Sequence, residues 1–362
     1  MNICFFGSSL VSSYWNGAAT YYRGMLKEIA KLGHDITFYE PDAFKRQAHR
    51  DIADPPWARV VVYPATPDGW QRALDDAVRS ADLLIKASGV GVFDAELEDA
   101  ISAIEGRALR FYWDVDAPAT LDAIAADPRH HLRRAVPRYD AVLTYGGGDP
   151  VVTTYRDVGA RDCVPIYNAL DPDTHHPAAA RADFDSELNL LANRLPDREA
   201  RIERFFIDAA SRLPGKRFVL GGSGWHDKAM PANIRAVGHV GTADHNAFFG
   251  SARATLNVNR DSMAAYGFSP PTRVFEAAGA AACLITDQWE GIELFLEPDH
   301  EILVAPDGAA VAAHLDTLSP ARARAIGERG RARVMAHHTY RHRARQFHAL
   351  LQGRSPRIEA AE

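Results

Sequence analysis

The stretch Ser269–Asp287, SPPTRVFEAAGAAACLITD, decides how this chain is read. Two prolines open it, and an amphipathic run with one arginine and one glutamate follows. A glycine interrupts the run, and CLIT ends it as a short apolar strand. Proline at a first helical position already has the helical φ and gives up no needed N–H. The first turn of a helix attracts anions, because its orphan N–H groups and the macrodipole point the same way. Arg273 stands in that turn and Glu276 three residues on, so the two share a face. A phosphate-bearing ligand would meet Pro271, Thr272 and Arg273 while its ribose hydroxyls met Glu276. The alternative is a surface helix with an ordinary i, i+3 ion pair.

Upstream, strands and helices alternate. ELNLLAN (187–193) reads as a strand, RLPD as a turn and REARIERFFIDAASRL (198–213) as a helix. RFVLGG (217–222) is a strand that leaves through the loop SGWHDK. IRAVGHV (234–240) is a third strand, ATLNVN (254–259) a fourth, CLIT the fifth and EILVAP (301–306) the sixth. NALDPDTHHPAAARADFD (168–185) lacks periodicity and reads as an interdomain linker. His175 and His176 are adjacent and would not face one way on a helix, so they read as linker residues, not metal ligands.

The first half repeats the pattern. Asn2–Phe6 is a short apolar run of the kind a buried parallel strand shows. The loop GSSLVSSYWNGAAT, a helix from about Ala18 to Leu32 capped by Gly33, and the strand HDITFYE follow. This βαβ unit is the mark of an open parallel sheet. The loop lacks G-x-G-x-x-G, which argues against a nicotinamide-type pyrophosphate site. It is long and leaves the carboxyl end of the first strand, where α/β sheets bind ligands, so Ser8, Ser9, Asn16 and Gly17 are candidate contacts. A merely flexible connection is the other reading. LLIKAS (83–88), LRFYWDVDAP (109–118), YDAVLTYGGG (139–148) and CVPIYNA (163–169) continue the strands. Asp114 and Asp116 end one of them. They suit helix capping or substrate hydrogen bonding better than a metal, since one carboxylate pair is a weak metal signal. Gly146 and Gly147 offer a close-approach site or a plain strand exit.

The bulk numbers bound the rest. With 362 residues, two domains are expected. A net charge of −6 advertises neither nucleic acid nor membrane. Cys4, Cys163 and Cys283 fall in apolar runs, which suits reduced thiols in a cytoplasmic protein. No signal-peptide pattern or transmembrane run is read. The arginine-dense tail, Ser319 to Gln352, reads as two helices. Ile326, Val334, Phe347, Leu350 and Leu351 give them a packing stripe, so the arginines form a solvated face and not an RNA patch. The final SPRIEAAE is expected to fray. The resulting domains are 1–170, a linker at 171–186, 187–336, a helix at 337–352 returning to the first domain, and a tail at 353–362.

RVFEAAGAAACLITD, then EILV, then H-T-Y-x-x-R (338–343), resembles the C-terminal domain of the spore-maturation-protein (CgeB-like) glycosyltransferases. These are GT-B enzymes related to glycosyltransferase family 4. LLANRLPDREARIERF, LGGSGW and YNALDPDTHHP extend the likeness, which covers roughly 165–345. The resemblance implies two Rossmann-like domains facing each other across a cleft. A nucleotide diphosphate sugar (UDP, GDP or dTDP type) would serve as substrate, with no resident cofactor or metal. It implies Glu276 on the ribose, Arg273 on phosphate, Asn193 and Arg194 on the diphosphate, and Ser223, Gly224 and Trp225 close by. The segment through His239 and Val240 would meet the base. The acceptor, a small molecule, glycan or protein, would lie on the N-terminal side.

One departure stands out. Related retaining enzymes carry Glu-x7-Glu, and here Phe268 occupies the first position. Asp261 and Tyr266 are the nearby candidates to substitute. If transfer inverts the anomeric centre, Asp114 or Asp116 is the expected general base. A nucleotide-sugar epimerase of the same fold and a catalytically degenerate nucleotide- or glycan-binding protein are the alternatives.

Overall fold

The computed structural model describes residues 1–353, so the segment SPRIEAAE (355–362), expected to fray, lies outside the described residues. Among the described residues the chain divides into two compact units: Met1–Tyr167 together with 340–353, and Asn168–Thr339. The expected linker, 171–186, is therefore part of the second unit. The boundaries fall at 167/168 and 339/340, not at 170 and 336.

The first unit holds seven parallel strands: β1 (Asn2–Phe6), β2 (Asp35–Asp42), β3 (Arg59–Pro64), β4 (Leu83–Ala87), β5 (Leu109–Asp114), β6 (Ala141–Thr144) and β7 (Cys163–Pro165). Their order is β3-β2-β1-β4-β5-β6-β7. Ile3 pairs with Ile36 on one side and Leu83 on the other, so the order reverses between β1 and β4. β1 and β4 are apolar because helices cover both faces of a parallel sheet. The exception is Lys86 of β4, fully buried, whose Nζ donates to Asp94 Oδ1 and the Ala87 carbonyl, both at 2.6 Å. β3, RVVVYP, escaped the sequence reading. It is an edge strand, largely solvent-facing, and Pro64 ends it. The helix Tyr340–Leu351 packs on Ala19–Lys31, where Gly24 leaves room for the Tyr340 ring.

The second unit holds β8 (Ser186–Leu191), β9 (Phe218–Gly221), β10 (Ile234–Gly238), β11 (Ala252–Asn257), β12 (Leu284–Asp287) and β13 (Leu303–Ala305), in the order β10-β9-β8-β11-β12-β13. Here the reversal lies between β8 and β11. Leu188, Phe206, Leu220, Leu256, Ile285 and Ile326 belong to one apolar core. The three cysteines are free and buried, and burial pushes their thiols up to about 11 for Cys4 and about 12 for Cys163 and Cys283. Among the described residues no helix is long and apolar enough to cross a membrane. Most arginines of the helix Pro320–His337 lie on its solvent side, but Arg343 in the next helix is buried beside Tyr21, Tyr167 and Tyr340. Burial pulls its guanidinium down to about 10.

Candidate functional site

The opening stretch folds as a helix, Thr272–Gly279, followed by β12. Pro271 precedes the helix with extended backbone; the Val274 N–H donates to the Pro271 carbonyl at 3.0 Å, and no side chain caps the N–H groups of Thr272 and Arg273. In a parallel sheet the helix between β11 and β12 starts at the carboxyl edge of the strands, where such sheets bind ligands. Gly279 does not end the helix by a left-handed turn. Ala281 has the positive φ, +60°. The glycine is needed for close approach instead, since a Cβ there would stand 2.3 Å from Leu170 Cδ1 and 2.9 Å from the His175 carbonyl.

That approach brings 168–176 against the helix. Asn246 clamps the segment, accepting from the His176 N–H at 3.1 Å and donating to the Thr174 carbonyl at 2.9 Å. His175 is thereby buried, with Nε2 3.3 Å from His245 Nδ1. This corrects the linker reading of His175. His175, His245 and Glu276 each bring a ligand atom within 4.8 Å of the others, a set that could hold a metal ion. Arg273, with Nε 3.8 Å from Glu276 Oε2, places a fixed positive charge against the same carboxylate and disfavours a cation there.

The electrostatics follow from burial. Glu276 is 6% exposed. Burial raises its carboxyl, and His175, then Arg273 and His245, bring it below the usual range. His175 is lowered, and His245 falls to about 4, mainly through burial. Both rings are therefore neutral near pH 7, and Arg273 is the permanently charged neighbour of the Glu276 carboxylate. No hydrogen bond from the described residues reaches the Glu276 carboxylate. Arg273 Nη1 is likewise buried without a hydrogen-bond partner, and the guanidinium lies 5.7 Å from the Phe249 ring centre. The Val240 backbone lies beside His245, and His239 and Val240 help line an open groove of about 410 Å³ with Asp183, Phe184, Arg235 and Asp244.

The loops after β8 and β9 are laced together. The Ser223 N–H donates to Asn193 Oδ1 at 2.9 Å and the Arg194 N–H to the Ser223 carbonyl at 2.9 Å. Gly224 has φ +89°, with the Arg194 side chain against it. Trp225 is buried and donates Nε1–H to the Ala192 carbonyl at 2.7 Å, so it braces the loop instead of meeting a ligand. Arg194 is held by Glu199 (2.8 and 2.9 Å) and Asp227 (2.8 Å), which neutralise it within its own surface. Phe268 has φ +46° and donates its N–H to the Glu290 carbonyl at 2.6 Å. Asp261 bridges Arg201 at 3.1 Å, and Arg201 also holds the fully buried Asp287 at 2.6 Å. Tyr266, at the end of the helix Asp261–Tyr266, is half-buried.

In the first unit, Asp114 is fully buried. It accepts from Ser88 Oγ (2.7 Å), Thr120 Oγ1 (3.1 Å), the Asp116 N–H (2.9 Å) and the Tyr155 hydroxyl. Burial raises its carboxyl despite these donors. A saturated, unexposed carboxylate organises the end of β5 and cannot reach an acceptor hydroxyl, which corrects the expectation of a base there. Asp116 is half-buried at the start of the helix Ala117–Ala126. Ser8, Ser9 and Asn16 are also buried: Ser8 Oγ donates to Asn16 Oδ1 at 2.8 Å, Ser9 Oγ to Glu40 Oε1 at 3.0 Å, and Asn16 Nδ2 to the Ser9 and Ser12 carbonyls. They hold the loop in shape. Gly17 is exposed. Gly146 and Gly147 are buried, and Gly147, at φ +93°, turns against Val151.

Residues 198–349 match the family described as glycosyl transferase-like. No curated protein matches the sequence. Sucrose-phosphate synthase from Thermosynechococcus elongatus is similar over 98% of each chain, with 15% identity and a TM-score of 0.74. The chain has the GT-B glycosyltransferase fold. Anabaena HepE in complex with UDP-glucose shares it over 98% of this chain and 100% of that one, at 14% identity and a TM-score of 0.70. T4 phage BGT in complex with its UDP-glucose substrate shares it over 98% and 99%, at 10% identity and a TM-score of 0.62.

Proposed function

We propose that the chain is a glycosyltransferase of the hexosyl type, CgeB-like, that takes a sugar from a nucleotide diphosphate sugar held by its second unit. One observation carries this reading: Glu276 is a buried carboxylate with no hydrogen bond from the described residues, beside an arginine with an unpartnered buried Nη1. Buried polar groups are ordinarily satisfied, and two ribose hydroxyls are a natural pair of donors to such a carboxylate. The uncapped first turn of Thr272–Gly279 and Arg273 then face the diphosphate. They stabilise the charge that develops on the leaving group, and the nucleotide sugar enters as substrate, without a resident cofactor or metal. Asn193, Ser223 and Gly224 form the loop rim beside the diphosphate, and His239 and Val240 meet the base. The acceptor belongs to the first unit, where Asp116 is the remaining candidate base. UDP is the first nucleotide to test, since HepE and T4 phage BGT are found with UDP-glucose.

Phe268 favours one second reading, a donor-binding protein that does not transfer. Thermal-shift titrations with UDP, GDP, dTDP and their sugars test the first claim, because a ligand of the folded state raises the midpoint by mass action. Release of UDP from UDP-glucose over an acceptor panel then separates transfer from mere binding. The reading fails if no nucleotide raises the midpoint.

A further inference from the structure

Among the described residues, the exposed aromatic side chains are Tyr14, Trp15 and Phe44. All three lie on the loops that leave β1 and β2 at their carboxyl ends, beside the β1/β4 reversal of the first unit. Trp15, at 63%, is the most exposed of them. Water-facing aromatics normally gain from being buried, so three on the loops of two adjacent strands, Tyr14 and Trp15 with ring centres 6.4 Å apart, require an explanation.

The backbone around them adds weight. Trp15 has φ +48°, Phe44 +55° and Lys45 +59°. Such conformations are unfavourable for residues with side chains and persist where the surroundings over-determine them. The surroundings do so here. Asp51 accepts from Arg23 Nη1 (2.9 Å), Arg23 Nη2 (2.7 Å), the Ser13 N–H (3.0 Å) and Ser13 Oγ (2.9 Å), one residue before Tyr14. Ser12 Oγ donates to the His49 carbonyl at 2.7 Å, and the Asp51 and Ile52 N–H groups donate to the Val11 carbonyl. The Tyr14 ring stacks on His49 at 4.0 Å, nearly parallel. Phe44 packs against Gly91, where a Cβ would stand 2.9 Å from its ring. The Arg46 guanidinium lies 4.9 Å from the centre of the Phe44 ring. Arg46 is 6% exposed, its Nη1 donates to the Ser8 and Val90 carbonyls, both at 3.2 Å, and its Nε is buried without a partner.

We propose that Tyr14, Trp15 and Phe44 form a preorganised stacking platform for a saccharide acceptor, with the Arg46 guanidinium at its base. This deepens the transferase reading and rests on it. A sugar ring presents an apolar C–H face to an aromatic ring while its hydroxyls stay available, and rigid aromatics lose little on binding. A membrane surface fits less well. In the loop DAFKRQAHRDIAD, Asp42, Asp51 and Asp54 balance Lys45, Arg46 and Arg50, leaving no basic excess for anionic headgroups.

The test uses the full chain on an array of defined mono- and oligosaccharides, with hits measured by calorimetry and UDP affinity measured in parallel. Trp15→Ala and Phe44→Ala should each weaken saccharide hits by about tenfold or more, while melting temperature and UDP affinity hold and Trp15→Phe retains binding. Unchanged saccharide affinity in both alanine variants overturns the platform, as does a wild type that binds nothing on the array. So does wild-type cosedimentation with phosphatidylcholine–phosphatidylglycerol vesicles that the same variants lose. Saccharide binding lost on substitution, in a wild type that binds no nucleotide, would sink the donor reading and leave the platform supported.

Discussion

His175 Nε2 lies 3.3 Å from His245 Nδ1, although the two residues stand 70 positions apart, and both rings back onto the Glu276 carboxylate. The pair makes stability depend on pH with a definite sign. Burial lowers His245 to about 4 and lowers His175 as well, whereas in the unfolded chain both titrate near the ordinary histidine value of about 6.5. Below that value the unfolded state binds protons that the folded state does not. The pair's contribution is therefore complete above about pH 6.5 and is lost as pH falls toward 4, by about 3 kcal/mol for His245. Urea unfolding of wild type and His245→Gln between pH 4 and 7.5 measures this. The stability gap between them should narrow as pH falls, and a gap that stays constant would count against it.

Glu276→Gln keeps the volume but removes the charge. If the carboxylate accepts two ribose hydroxyls, UDP should bind about 10–100-fold more weakly, the equivalent of about 1.5–3 kcal/mol. Stability should fall little, because no hydrogen bond from the described residues depends on the carboxylate. Calorimetric titration with UDP decides it. A Glu276→Gln variant that binds UDP like wild type would falsify the ribose assignment.

Arg273→Met acts on the same carboxylate from the other side. Losing the guanidinium, whose Nε is 3.8 Å away, leaves Glu276 buried beside two neutral imidazoles, so its carboxyl should titrate higher than in wild type. Nucleotide affinity should then fall more steeply with decreasing pH in the variant. Parallel pH profiles for wild type and variant would argue that Arg273 does not hold Glu276 in its charged form.

The alternation of strands and helices was legible because parallel strands are buried on both faces and read as apolar runs. β3 was not, since an edge strand with half its residues facing water carries no such run. The helix with Arg273 and Glu276 was legible from its prolines and i, i+3 spacing. The histidines beside it were not, because only the three-dimensional clamp of Asn246 on residues 174–176 brings them there. Trp225 and Asp114 show a different limit. A residue type at a strand exit does not disclose whether its polar atoms point outward or are spent on the Ala192 carbonyl, or on Ser88, Thr120 and Tyr155.

Asp114→Asn should therefore behave as a stability variant. The amide would turn one acceptor oxygen into a donor facing the Ser88, Thr120 or Tyr155 hydroxyl, at a cost of about 1–3 kcal/mol. UDP affinity should be unchanged. Denaturant midpoint and UDP titration on the same sample separate this from a catalytic role, in which turnover would collapse at undiminished stability.

Gly279→Ala probes the packing that builds the nucleotide side of the site. The added Cβ would stand 2.3 Å from Leu170 Cδ1 and 2.9 Å from the His175 carbonyl. The leucine side chain can rotate, but the carbonyl belongs to a backbone held by Asn246, so the segment itself must shift. Overpacking of this kind costs about 1–3 kcal/mol. The shift would also move His175 away from Glu276, so UDP affinity should drop together with stability, although Gly279 is neither charged nor polar. A Gly279→Ala protein with the melting temperature and UDP affinity of wild type would show that this contact does not position the site.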